Sequence, residues 1–170
     1  MFCEDEVPKA ISRTGEELVR IYMQQAAPNI RPATVEQPLH GVIGSVRIHA
    51  QLDLLDVDGT IIDIRTAPAA PARIDQMHRF ELATCSRLAE GASGVVRSHF
   101  LVMSNTPQHV EHTWEVTADD VQWTNALYPL AQQSMRRGYY MPNRNSTRCS
   151  RHHCPHWRHC EQEFGGVVDS

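Results

Sequence analysis

Two aspartates, Asp53 and Asp63, flank the turn sequence "DVDG" within "LDLLDVDGTIIDIRT". Turn residues between two runs rich in β-branched side chains predict a hairpin. Its register can set the two carboxylates side by side. Two hard oxygen donors a few ångströms apart suit Mg²⁺ or Mn²⁺, with water and a phosphate completing the shell. Arg65 follows Asp63 by two residues, so the strand period puts both on one face. The isoleucines beside them imply a partly buried carboxylate, which needs a metal, a cation or hydrogen-bond donors. A solvated ion pair on an ordinary strand fits the same spacing. From the residues alone both readings stand. Glu36 could reach a metal held there or be a surface carboxylate, and His49 shares the strand face of Asp53.

A second group lies near the C-terminus. "CSRHHCPHWRHC" sets Cys149, Cys154 and Cys160 in a C-x₄-C-x₅-C pattern among His152, His153, His156 and His159. Three cysteines this close, in a chain read as cytoplasmic, point to a metal or cluster rather than a disulfide framework. Pro155 after Cys154 is similar to the Cys-Pro step of iron–sulfur runs. Three thiolates and a histidine would equally make a structural zinc site. Cys3 can add a fourth thiolate if the N-terminus folds back, whereas Cys85 reads as a small buried hydrophobe.

The elements that must position these groups follow from periodicity. Leu18, Ile21 and Tyr22 fall at helical spacing between about Ser12, a candidate N-cap, and Gln25. "VEQPLHG" reads as a connector. "VRIHAQLDLLD" alternates, with Val46, Ile48, Ala50, Leu52 and Leu54 on one face. "TIIDIRT" is its return strand. A helix from about Arg73 to Glu90, strands in "GVVRSHFLVM" and "HVEHTWEV", and a closing helix complete the order. Thr117 caps that last helix, Gly138 stops it and Pro129 kinks it. The order predicts an α/β (α+β) domain with one mixed central sheet and flanking helices. Residues 1–140 are expected to form it and 141–170 a cysteine- and histidine-rich tail.

A chain of 170 residues can bury one core without staples. No apolar run is long enough to span a bilayer, and "MFCEDEV" lacks the apolar segment of a secretory signal. A cytoplasmic protein without membrane partners is expected. The net charge of −4 argues against general attraction to nucleic acid. Yet Val121 to Cys160 holds no acidic residue and carries Arg136, Arg137, Arg144, Arg148, Arg151 and Arg158. That is either one face for a polyanion or a solvated tail. Lys9 is the sole lysine, so arginine supplies the other cations.

Taken together, "LDLLDVDGTIIDIRTA", "QMHRF" and the cysteine triplet resemble the PD-(D/E)XK nucleases, in particular the RecB-like branch with a C-terminal iron–sulfur triplet. Asp53 and Asp63 match the two acids, Thr66 the threonine, Gln76 the helix glutamine and Phe80 the aromatic. The resemblance implies a restriction-endonuclease-like fold and hydrolysis of phosphodiesters in single- or double-stranded DNA, with Mg²⁺ or Mn²⁺ on Asp53 and Asp63. It implies a 4Fe-4S cluster on Cys149, Cys154, Cys160 and a distant N-terminal cysteine. Gln76 would orient water or DNA. Two positions depart from the pattern: Ala50 replaces a glycine, and Arg65 replaces the lysine that helps activate water. Arginine cannot give up its proton, but it can stabilise phosphate charge. The family's upstream histidine and cysteine segment is expected to be missing here or supplied by a protein partner. A degenerate nucleic-acid-binding or scaffold subunit is the alternative.

Overall fold

The computed structural model describes residues 6–168 except 105, 145 and 147, with side chains from residue 13 onward. It divides into two compact units, Met1–Pro129 and Leu130–Ser170. The first opens with α1 (Glu6–Gln25), followed by β1 (Pro32–Ile43), β2 (Val46–Asp56), β3 (Ile61–Ala67), α2 (Gln76–Leu88), β4 (Val95–Val102) and β5 (Gln108–Glu115). The helix α3 (Ala118–Arg136) runs on from β5, and α4 (Trp157–Phe164) lies in the second unit.

The strands form one sheet in the order β1-β2-β3-β4-β5. Every neighbouring pair is antiparallel except β3–β4. That parallel pair needs a crossover connection, which α2 provides. The expected fold class is therefore observed. The β2–β3 turn is fixed at Gly59, whose φ of 81° lies in the left-handed region. A Cβ there would strike the Gly91 carbonyl, while the Gly59 carbonyl accepts from the Ser93 amide at 2.8 Å. Asp58 closes the same turn by accepting from the Thr60 amide at 2.9 Å.

One face of the sheet packs against α2. Leu39, Leu52, Leu55, Ile61 and Val96 meet Leu82, Cys85 and Ala89 in a single buried cluster. Removing that apolar surface from water is the main drive for docking α2. The opposite face receives α1 over β4 and β5. Arg79 ties α2 to α3 through Asp120, with Nη2 donating at 2.8 and 3.1 Å. Thr117 and Asp120 cap α3 reciprocally, as the sequence predicts at Thr117.

Two local expectations fail. "VEQPLHG" is no connector but part of β1, a long strand running antiparallel to β2 from Thr34↔Leu55 to Ile43↔Val46. Its two prolines and glycine hide the strand, yet an edge strand tolerates proline because one side needs no ladder donor. The first helix begins at Glu6, so Ser12 lies inside it and cannot be its cap.

Candidate functional site

β3 lies in the middle of the sheet, so a side chain on it has neighbours on both edges. The β2–β3 ladder is short, with only Leu54↔Ile62 and Leu55↔Ile61 paired. Carrying that register one step further brings Asp53 opposite Asp63. There the backbone pairing gives way to a side chain: Asp53 Oδ2 accepts from the Ile64 amide at 2.9 Å. On the other side of β2, the pairs Val35↔Leu54 and Gln37↔Leu52 bracket Glu36, which falls opposite Asp53. Glu36 has a φ of 49°, a left-handed conformation uncommon outside glycine. Three acidic residues thus occupy successive positions across β1, β2 and β3; Glu36 is exposed and accepts from Gln51 Nε2 at 3.2 Å, and the three do not bring ligating atoms within 4.8 Å of one another.

The electrostatics follow from this crowding. Burial, reinforced by the charges of Asp63 and Glu36, raises the Asp53 carboxyl above its ordinary pKa; the Ile64 amide and Arg65 only partly offset this. Tyr22 of α1 is also raised, by burial and by Asp53. Burial together with Asp63, Asp53 and Glu81 pushes the Cys85 thiol up to about 11. Cys85 stays a protonated, buried thiol, as expected from sequence. Excess negative charge in a partly buried place is what a divalent cation relieves, and the oxygen donor set suits Mg²⁺ or Mn²⁺.

Asp63 is the most enclosed of the three acids, with 11% of its side chain exposed. Two cations or donors converge on it. Arg65 Nε donates to Asp63 Oδ2 at 3.2 Å, and His78 Nε2 lies 2.8 Å from the same oxygen. The Arg65 side chain reaches further, with Nη2 donating to Glu81 at 2.7 Å. Burial works to lower the Arg65 pKa, but Glu81 and Asp63 hold it above its ordinary value. The expected Asp63–Arg65 pair on one strand face is therefore present.

His78 and Glu81 were not anticipated. His78 is 3% exposed and stacks edge-on against Phe100 at 5.8 Å. Its position is set by the start of α2, where the Asp75 side chain accepts from the His78 amide at 3.0 Å. The sequence carries that cap-and-histidine pattern, but not the strand onto which the helix's first turn descends.

Gln76 is the exposed first residue of α2. It lines an open groove of about 980 Å³ with Arg73, Arg79, Trp114 and Trp123. Arg79 lies 4.4 Å over the Trp114 ring. Phe80 is buried and packs on Trp123 and Tyr128 at centroid distances of 5.1 and 5.0 Å. Thr66 is exposed. His49 meets His40 across the β1–β2 ladder, with their Nδ1 atoms 2.7 Å apart.

In the second unit, Cys149, Cys154 and Cys160 are free thiols of intermediate exposure. They line one cavity of about 590 Å³ with His156 and His159. Among the described residues, no three of these groups bring ligating atoms within 4.8 Å of one another. Arg144 secures the segment after α4, donating to the carbonyls of Gly165 at 2.6 Å and Val167 at 3.3 Å. Cys3 lies outside the described residues.

A mixed five-stranded sheet whose central hairpin gathers acids on adjoining strands, crossed by a helix that completes the site, defines a nuclease-like α+β fold. The chain belongs to the PD-(D/E)XK nuclease superfamily, whose family model matches residues 4–161. No curated protein matches the sequence. Among solved structures, a protein from Eubacterium rectale named "Putative exonuclease" is similar with a TM-score of 0.56 at 10% identity. That match covers 91% of this chain and 66% of the other. A second, SSO0001, aligns over 76% of this chain and 60% of its own, with 15% identity and a TM-score of 0.44. The chain thus spans less than two thirds of either solved relative. Among the described residues, no helix is long and apolar enough to cross a membrane.

Proposed function

We propose that this chain hydrolyses phosphodiester bonds in DNA with Mg²⁺ or Mn²⁺ bound at Asp53 and Asp63. The observation that carries the reading is the crowding of Glu36, Asp53 and Asp63 across three strands, with Asp53 held above its ordinary pKa. A divalent ion bound there supplies charge neutralisation and an activated water. Arg65, beside Asp63 where related nucleases carry lysine, stabilises negative charge on the phosphate. His78 holds the Asp63 carboxylate in orientation. The groove beside Gln76 offers the rings of Trp114 and Trp123 for base stacking and Arg73 for phosphate, while Arg79 is held by Asp120 in a wall that also carries Asp75 and Asp119. The pattern of motifs favours the RecB-like branch.

The cysteine tail carries a separate part of the proposal. Cys149, Cys154 and Cys160 hold a 4Fe-4S cluster, or zinc with one of the neighbouring histidines.

One observation favours a second reading, a binding or scaffold subunit that no longer cuts. Arg65 bridges Asp63 and Glu81, so a cation already occupies one side of the Asp63 carboxylate. Labelled single- and double-stranded DNA incubated with Mn²⁺ separates the two. The nuclease reading expects cleavage by the wild type and loss of it in Asp63→Ala. An inert wild type that binds DNA, with cleavage restored in Arg65→Lys, establishes the binding reading. Equal cleavage by wild type and Asp63→Ala removes the site assignment altogether.

A further inference from the structure

The sheet carries a second group of ligating side chains, on the face turned away from α2. His99 pairs with Ile64 in the β3–β4 register, next to the Asp63↔Ser98 pair. Alternation therefore points His99 to the face opposite Asp63. Across the β4–β5 ladder, Glu111 is the direct partner of His99, and His109 is the partner of Leu101. All three share one face. One ligating atom from each of His99, His109 and Glu111 lies within 4.8 Å of the other two, and among the described residues no other such group of three exists.

The hydrogen-bonding state of His99 marks the site as incomplete. The ring is 1% exposed, and its Nδ1 lies 2.7 Å from His109 Nε2. Its other nitrogen, Nε2, is buried and has no hydrogen-bond partner. Glu111 Oε2 is 3.9 Å from it, too far for a hydrogen bond. A buried, unpaired imidazole nitrogen is costly whichever tautomer is present. Either it carries a proton with no acceptor, or it offers a lone pair with nothing to receive it.

We infer that His99, His109 and Glu111 form a binding site for a divalent transition ion of the zinc class, separate from the acid pair around Asp63. Two imidazoles and one carboxylate are the ligand types such an ion takes, with water in the fourth position. They discriminate against Mg²⁺, which prefers oxygen ligands alone. Zinc bonds of about 2.0–2.1 Å at tetrahedral angles set ligating atoms roughly 3.3 Å apart. Glu111 therefore closes by about 0.6 Å on His99 Nε2. Glu111 is partly exposed, with its other oxygen, Oε1, accepting from Thr113 Oγ1 at 3.1 Å. Tyr22 of α1 meets the His99 ring edge-on at 5.9 Å, so an ion here braces β4, β5 and the helix above them.

The test is zinc stoichiometry and affinity on the whole chain after dialysis against Zn²⁺, comparing wild type, His109→Ala, Glu111→Gln and Asp63→Asn. Substitution with Co²⁺ separates this site from the cysteine tail, since only thiolates add sulfur-to-cobalt charge-transfer bands. The wild type is expected to hold one zinc beyond the thiolate site. His109→Ala and Glu111→Gln should lose it or bind it at least about tenfold more weakly, with the thiolate bands unchanged. Asp63→Asn should retain it. Two results overturn the inference: no zinc beyond the thiolate site in wild type, or loss of that zinc in Asp63→Asn but not in Glu111→Gln. The outcome does not depend on whether the chain cleaves DNA.

Discussion

Replacing His78 by phenylalanine isolates the bond that steadies Asp63. The ring keeps nearly its volume and its edge contact with Phe100, 5.8 Å away, but loses the nitrogen 2.8 Å from Asp63 Oδ2. Hydrogen bonds to charged groups contribute about 1.5–3 kcal/mol. Asp63 keeps Arg65 as a donor, so the buried carboxylate is not stranded and the larger penalty for an unpaired charge does not arise. The expected loss is therefore about 1.5–3 kcal/mol, or roughly 3–12 °C in Tm for a chain of this length. Urea unfolding followed by circular dichroism measures it, with an unchanged m value showing that the native state is intact. Mn²⁺-dependent cleavage should fall further than stability does, because the freed carboxylate no longer points one oxygen at the ion. A stability change under about 0.5 kcal/mol, typical of surface substitutions, would refute the assigned bond.

Other consequences follow from the same charges. Asp53→Asn should stabilise the fold at pH 7, since the folded state raises the Asp53 pKa and its ionised form is unfavourable. The sign is that of a raised acid: the native state gains stability as pH falls through the Asp53 range, so the gap between wild type and variant should close on acidification. The clamp at Asp120 behaves oppositely. Burial raises its pKa, but Arg79 and Thr117 outweigh this and lower it, so its contribution is present above about pH 4 and lost below. Wild-type stability in acid should drop more than that of Asp120→Asn, measured by thermal melts across pH. Gly59→Ala should cost more than about 1 kcal/mol, because the left-handed φ and the Gly91 carbonyl both exclude a Cβ; chemical denaturation reads this.

The site was legible in sequence where it depends on one strand's period or one tight turn. Asp53, Asp63 and Arg65 fall together because "DVDG" fixes the hairpin and alternation fixes the faces. Glu36 was harder, since its strand carries Pro38 and Gly41 and its own backbone departs from β geometry. His78 and Glu81 were invisible for a different reason: they reach Asp63 and Arg65 only through the angle at which α2 crosses the sheet. That angle is set by packing of Leu82, Cys85 and Ala89, not by local pattern. The pairing of His99 with Glu111 likewise needs the β4–β5 register, which a loop containing Pro107 does not reveal.

Binding of Mn²⁺ by electron paramagnetic resonance, in wild type, Asp53→Asn and Asp63→Asn, tests the acid pair most directly. Mn²⁺ prefers carboxylates over the imidazole and thiolate groups elsewhere in the chain. The account predicts saturable binding in the wild type and its loss in both variants while each remains folded. Binding unchanged in either variant, or absent from the wild type, would contradict it.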